Sequence, residues 1–437
     1  MSFLRGASPG RPETNPMQAT LRPLFSILLG LLFLIIGHGM QLTLIPLRAE
    51  ALGWSKFEIG VVGSAYYIGY VFGCFAAPYL IRRAGHIRAF TVLTALITAA
   101  MLAHTLWVAF TPWIVFRLAL GASLAGLYMI LESWVNDRAS NANRGLVMSS
   151  YITVNYTALA IGQFMVTLAA PTEFTLFVMA AMALSISAIP LALTRQTQPA
   201  PVSIVRFRPL TLYRSSPVGL IGASVAGVAT GALWSLGAVA VVGAGLTERD
   251  AAIFMGIFTA AGALAQWPIG RASDRVDRRV VLIAILLAAA VVGVLLAVLP
   301  ENGVRWFVLA AFLGAAMAPT YSVAAAHAYD HAEPGAMVET AEGLFVASAS
   351  GSIVGPLIAA ALMQHYGTST LFLFNAIVHL GLAAYIVYRV RARPPLAQAL
   401  KTDFDIAASA PMSGGVPVEP EFLPPEHGAS PAEEAAG

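Results

Sequence analysis

Apolar residues run along most of this chain in blocks of about twenty, and polar residues gather in the gaps between them. An α-helix needs roughly 20 predominantly apolar residues to cross a hydrocarbon layer. Blocks of that size occupy residues 24–46, 58–80, 89–110, 112–134, 146–169, 174–193, 218–243, 251–270, 280–299, 305–328, 340–363 and 371–390. The pattern predicts an all-α membrane protein with twelve transmembrane helices. The gaps are short, except for 194–217, which holds Arg195, Arg206, Arg208 and Arg214. The chain then divides into an N-terminal tail (1–23), a six-helix bundle (24–193), a linker (194–217), a second six-helix bundle (218–392) and a C-terminal tail (393–437). That last tail is rich in Pro, Ala and Glu with little to bury, and reads as disordered. The first 23 residues show no cleavable signal, because the first apolar run is long enough to stay in the membrane.

Composition narrows the class. Hydrophobic residues make up 58% of the 437 and charged residues only 11%, against about a quarter charged in soluble domains. A single cysteine, Cys74, excludes an internal disulfide. No Walker loop appears, so ATP is not the energy source. No metal-ligand spacing and no nucleophile motif occupies a water-facing position, so neither an enzyme, a cofactor nor a metal is expected. No basic stripe with interleaved aromatics points to nucleic acid.

Charge gives an orientation. With both tails and the even-numbered loops on one side, that side holds 20 of the 25 Lys and Arg residues, and the other only Arg48, Lys56, Arg249 and Arg305. The positive-inside rule then places both termini and the linker in the cytoplasm, in a bacterial inner (plasma) membrane.

The two halves repeat one another. A shift of 192 residues sets Gly39 on Gly231, Gly53 on Gly245, Ser55 on Thr247, Glu58 on Asp250 and Arg83 on Arg275; a shift of 193 sets Trp113 on Trp306, Gly121 on Gly314, Tyr128 on Tyr321, Asp137 on Asp330 and Gly162 on Gly355. Ser55-x-x-Glu58 and Thr247-x-x-Asp250 are capping boxes, opening the second helix of each half. Gly121 and Gly314 lie mid-span, where a missing side chain lets a neighbouring helix approach.

After span 8 the chain reads Gly270-Arg-Ala-Ser-Asp274-Arg275-Val-Asp-Arg278-Arg279. This resembles the loop motif that the major facilitator superfamily (MFS) carries between the second and third helix of each half. Arg117-Leu-Ala-Leu-Gly121 in span 4 is similar to the family's fourth-helix motif, and Gly351-Ser-Ile-Val-Gly355-Pro356 kinks span 11. The first-half loop departs from the pattern, with Arg82 and Arg83 where an aspartate is usual, and span 5 has Gly162-Gln163 in place of the antiporter G-x-x-x-G-P. The resemblance covers about residues 24–392 and implies the MFS fold, two pseudo-symmetric six-helix bundles around a central path. It also implies a permease, a secondary transporter moving a small-molecule substrate by rocker-switch alternating access, set in membrane lipid and read here as a monomer. An efflux pump for amphipathic compounds, an uncoupled facilitator, and a sensor or scaffold that has lost flux are the rival readings.

In the family, spans 1, 4, 7 and 10 line the cavity, which favours His38, Gln41, Arg117, Tyr128, Trp234 and Tyr321. Tyr67, Tyr70, Asn155, Tyr156, Gln266 and Asn375 complete the candidate lining, a mixture of aromatic faces with amide and imidazole groups. Charged groups inside spans are costly and default to function. Glu132 and Glu342 are therefore candidates for carrying a coupling proton, with a salt bridge from Glu132 to Arg82 or Arg83 as the alternative. Arg82, Arg83, Asp274, Arg275, Arg278, Arg279 and Asp330 form a candidate cytoplasmic gate. There Asp274 and the arginines at 275, 278 and 279 would pair with Asp330, Glu333 and the start of span 11.

Overall fold

The computed structural model describes residues 24–140, 143–194, 199, 208–333, 336–392 and 404. The tails expected at 1–23 and from 393 lie outside these, apart from Phe404. Among the described residues all regular structure is helical. The helices are α1 (Phe25–Ala51), α2 (Lys56–Ala84), α3 (His86–Leu106), α4 (Phe110–Arg138), α5 (Arg144–Met165), α6 (Thr175–Ile186), α7 (Ala188–Ala192), α8 (Pro209–Ser215), α9 (Pro217–Gly243), α10 (Glu248–Arg275), α11 (Arg278–Val298), α12 (Gly303–Tyr329), α13 (Met337–Tyr366) and α14 (Thr370–Ala392). Helices α6 and α7 together make the sixth span. The linker, read from sequence as a loop, contains the short helix α8, which Pro209 opens at its first position.

Eleven spans are long and apolar enough to cross a membrane by length and composition. The twelfth, α5, has 22 residues but carries Ser149, Ser150, Asn155 and Gln163 within them. Most helices run past their apolar blocks: α2 and α10 continue through Arg83 and Arg275, ending in the polar loop motif.

Both capping boxes form. The Ser55 hydroxyl accepts from the Glu58 amide at 3.2 Å while the Glu58 carboxylate accepts from the Ser55 amide at 2.8 Å. Thr247 and Asp250 repeat this at 3.1 and 3.0 Å.

The repeat extends to individual helix contacts. A Cβ at Gly121 would strike the carbonyl of Tyr66, and one at Gly314 the carbonyl of Phe258, so α4 rests on α2 as α12 rests on α10. Gly162 meets the Ile36 carbonyl and Gly355 that of Val228, so α5 rests on α1 as α13 rests on α9. Between helices already in lipid, association depends on close van der Waals packing, which small residues permit.

The linker and the outer ends of α1 and α14 define one face of the molecule; the α1–α2 turn lies on the far face. Among the described residues, hydrogen bonds and ring contacts join the halves from the far face to mid-depth. The Lys56 amide donates to Gln364 Oε1 at 2.9 Å and Ser64 Oγ donates to the Ile353 carbonyl at 2.7 Å. At mid-depth Tyr70 meets Phe345, ring centroids 5.8 Å apart. On the other seam Thr259 Oγ1 donates to Gln163 Oε1 at 2.6 Å, and Gln266 Nε2 reaches Tyr156 Oη at 3.5 Å.

Candidate functional site

A cavity of about 270 Å³ lies between the halves. Its walls come from equivalent positions. His38 and Thr230, Leu42 and Trp234, Tyr66 and Phe258, Tyr67 and Thr259 face it at the 192-residue shift; Tyr128 and Tyr321, Asn155 and Ser348, Tyr156 and Ala349, Leu159 and Ser352 do so at 193. Of the predicted lining, His38, Tyr67, Tyr70, Tyr128, Asn155, Tyr156, Trp234 and Tyr321 face the cavity.

Four predicted residues do not. Asn375 is buried in α14, its amide donating to the Leu371 carbonyl of its own helix at 3.3 Å. Gln266 is buried between Tyr156 and the Ala318 carbonyl. Gln41 and Arg117 stand behind the wall. Arg117 is 2% exposed, held by Nε to the Val62 carbonyl at 3.2 Å and Nη1 to Gln41 Oε1 at 2.6 Å. Its guanidinium lies 4.6 Å from the Tyr66 ring centroid, and among the described residues no carboxylate pairs with it. Carbonyl, amide and ring dipoles take the place of a counter-ion.

That contact fixes the chemistry one step nearer the cavity. Arginine only donates, so the Gln41 atom facing it is the oxygen. Gln41 Nε2 therefore faces His38 Nδ1, at 2.9 Å, and donates to it. His38 Nδ1 consequently carries no proton, and the imidazole stands neutral with its proton on Nε2.

Sequence reasoning missed Thr230, Phe258, Thr259, Ser322, Phe345, Ser348 and Ser352. The repeat supplies a signal for most of them: Phe258 and Thr259 are the partners of Tyr66 and Tyr67, and Ser348 that of Asn155. As isolated small or apolar residues in helices they carry no mark of their own.

Below the cavity, toward the linker face, Glu132 is 3% exposed and accepts from Tyr151 Oη at 2.9 Å. It pairs with neither of the arginines proposed for it: Arg82 and Arg83 are exposed, and Arg82 lies over the Tyr79 ring at 5.1 Å. Glu342, 6% exposed, sits one turn inside α13. Glu339, nearer the helix start, pairs with Arg208 at 3.5 Å.

The loop motif of the second half forms a compact ionic knot. Arg278 donates from Nε to Asp330 Oδ2 at 2.7 Å and from Nη2 to Oδ1 at 3.3 Å, both side chains at most 2% exposed. Its Nη1 reaches Ser273 Oγ at 3.1 Å and lies 3.4 Å from Asp274. Arg279, expected to reach α12 or α13, turns back onto Asp277 at 2.7 Å. Burial disfavours the Asp277 anion, but hydrogen bonds from the Arg279 side chain and amide outweigh it and hold the carboxyl below its ordinary range. Asp274 Oδ1 accepts from the Phe404 amide at 2.8 Å, and the Phe404 ring covers Gly270. These named pairs all lie within the second half, so the knot fastens the α10–α11 turn to the end of α12.

Two repeated helical bundles enclosing a central cavity, sealed together on one face, define a membrane transporter fold. The family model described as Major Facilitator Superfamily matches residues 27–247 and 219–422, and the chain belongs to that family. It is similar to an MFS-type transporter of Enterobacter sp. (strain 638), 28% identical over 366 residues, covering 83% of this chain and 94% of the relative. It is likewise similar to the MFS-type transporter YcaD of Escherichia coli O7:K1, 28% identical over 365 residues with the same coverage. Among solved structures, the nucleoside transporter NupG superposes with a TM-score of 0.71 at 15% identity, covering 87% of this chain and all of that one. A bacterial homologue of the human lysosomal transporter Spinster, inward-facing and occupied, gives 0.72 at 14%, covering 87% and 98%. These last two establish a shared fold. The chain is an integral membrane protein.

Proposed function

We propose that this protein is a secondary transporter of the inner membrane that carries a small organic solute through the central cavity by rocker-switch alternating access. The observation that carries this reading is the cavity's construction. Its walls come largely from equivalent positions of two halves, and the contacts described between those halves, from the far face to mid-depth, are single hydrogen bonds and ring contacts. Hydrogen bonds such as Lys56–Gln364 and Ser64–Ile353 can break and reform as the halves rock, whereas the ionic knot within the second half moves as a unit.

Twenty positive charges against four favour the linker face as the cytoplasmic one, which makes the far face, where Lys56 meets Gln364, the outer one. Arg82, Arg83 and Arg275 then stand on the cytoplasmic rim, with Asp274, Arg278, Arg279 and Asp330 stiffening it. Glu132 and Glu342, buried between the cavity and that rim, are the groups through which a proton would couple. The protein acts as a monomer, since each cavity is complete within one chain.

The test is solute flux in proteoliposomes, screened over sugars, organic acids, amino acids, aromatic amides and cationic dyes, with and without an imposed proton gradient. Flux that follows the gradient and falls in Glu132→Gln or Glu342→Gln is expected. Gradient-independent flux identifies a facilitator, and absence of flux for every class by folded protein overturns the transport reading.

A further inference from the structure

Both halves build one end of the cavity in the same way. Tyr128 of α4 and Phe345 of α13 each present a ring to it. One helical turn nearer the linker face, each of these helices carries a buried carboxylate: Glu132 follows Tyr128 by four residues, and Glu342 precedes Phe345 by three. Side chains at those spacings share a helix face, and α4 and α13 run in opposite directions between the two faces of the molecule. Both acids therefore stand on the same side of the cavity, six residues before Arg138 and five after Met337. Two rungs between α4 and α5 show the register: Tyr128 donates to Asn155 at 2.9 Å beside the cavity, and Tyr151 donates to Glu132 at 2.9 Å one turn below. Charged groups are costly inside a span, and two at matched depth mark this end of the cavity as acidic.

The opposite end carries the opposite sign. Arg117 precedes Glu132 on α4 by fifteen residues, about 22 Å along the helix axis. Its field reaches His38, Tyr66 and Tyr67, whereas that of Glu132 reaches Tyr70, Tyr128 and Tyr321. The lining rings thus divide into a far-face set beside a cation and a linker-side set beside a carboxylate. The linker-side set draws on both halves, and Phe345 joins it through Tyr70, ring centroids 5.8 Å apart. Aromatic faces are negative, so they attract cations and repel anions. Among the described residues no lysine or arginine lines the cavity. Ring faces and carboxylate field therefore act in one direction at the linker-side end, while Arg117 is engaged by the Val62 carbonyl, Gln41 and the Tyr66 ring.

We propose that the cavity takes an organic cation, its substituted ammonium group seated among Tyr70, Tyr128, Tyr321 and Phe345 and its apolar body directed toward Tyr66 and Tyr67. The ring faces touch the charge. Glu132 and Glu342 select its sign from one turn below, through space and without contact. Arg117 sets the orientation, since a cation turned the other way would meet a like charge. This inference rests on the transport reading, whose solute it names, but the site is tested by binding alone.

The experiment is calorimetric titration of the purified full-length protein with phenyltrimethylammonium, its neutral isostere tert-butylbenzene and the anion benzenesulfonate. The ammonium should bind at least about tenfold tighter than either of the others. Glu132→Gln should weaken ammonium binding about tenfold and leave tert-butylbenzene within about twofold, a split that a merely structural role does not produce. Tyr321→Leu removes a ring from the other half without touching a charge, and serves alone where Glu132→Gln does not fold. It should weaken the ammonium about fivefold and the isostere less. Equal or tighter binding of the isostere or the sulfonate overturns the inference, as does an absence of saturable ammonium binding. An ammonium affinity unaltered in Glu132→Gln, or equal losses for ammonium and isostere in either variant, overturns it too. Ammonium binding without flux would refute transport and leave the solute class standing; flux of an anionic or neutral solute with no ammonium binding would do the reverse.

Discussion

Replacing Asp330 by Asn removes the negative half of the most buried ion pair described. Arg278 would keep Ser273 Oγ at 3.1 Å and Asp274 at 3.4 Å, but Asp274 is 28% exposed and its field is partly screened by water. Removing one partner of a buried pair costs about 3–5 kcal/mol, because the other charge stays behind without compensation. The Asn oxygen still accepts one of the two N–H groups, and Asp274 recovers a further part, which leaves a net loss of about 2–3 kcal/mol. Reversible unfolding in SDS, followed by circular dichroism, measures it, with Arg278→Met and the double variant closing a mutant cycle. Both single variants should be destabilised and the double variant should lose much less than their sum, giving a coupling energy above about 1.5 kcal/mol. Coupling below about 0.5 kcal/mol would refute the claim that this pair fastens the α10–α11 turn to α12.

Four further outcomes follow from the same geometry. Gly121→Ala and Gly314→Ala each push a methyl into a facing carbonyl, and should cost about 1–3 kcal/mol apiece by the same assay; a neutral result at either would break the claimed equivalence of the two helix pairs. Ser55→Ala and Thr247→Ala should each cost about 1 kcal/mol through loss of the cap, read as a lowered unfolding midpoint. Arg117→Lys keeps the charge but cannot span the Val62 carbonyl and Gln41 together, so it should be less stable than wild type by about 1–2 kcal/mol; unchanged stability would show that charge alone suffices. Folding lowers the Asp277 pKa, so its pairing contributes fully above the unfolded carboxyl's value near 4 and fades as pH falls through the lower folded value. The stability difference between wild type and Asp277→Asn should therefore shrink below about pH 4, and a difference that grows on acidification would contradict the pairing with Arg279.

The helices, their caps and the existence of close crossings were legible because each rests on local or periodic information. Apolar length marks a span, Ser55 and Glu58 mark a start, and mid-span glycines mark a crossing. The cavity was legible where its residues are chemically conspicuous, as with Tyr67, Tyr128 and Trp234. It was illegible where position alone decides. Arg117 and Gln41 belong to lining helices yet turn away from the void, and Asn375 satisfies its own helix, because which face of a span looks inward depends on packing against helices hundreds of residues away. The Arg279–Asp277 pair was missed for a simpler reason: a two-residue return competes with a long-range partner and closes a far smaller loop.

Helix α5 carries a consequence for how the chain is made. Among the described residues it is the one span that falls short of the apolar length and composition of the other eleven, and by the time it is synthesised two of its neighbours already exist. Tyr128 of α4 can accept its place beside Asn155, 2.9 Å apart in the finished molecule, and Gly162 has α1 to lie against. The Gln163 amide must wait for Thr259 of α10, nearly a hundred residues later. The polar and close-packing contacts of α5 are thus made in two stages, those of Asn155 and Gly162 within the first bundle and that of the Gln163 carbonyl only when the second bundle arrives.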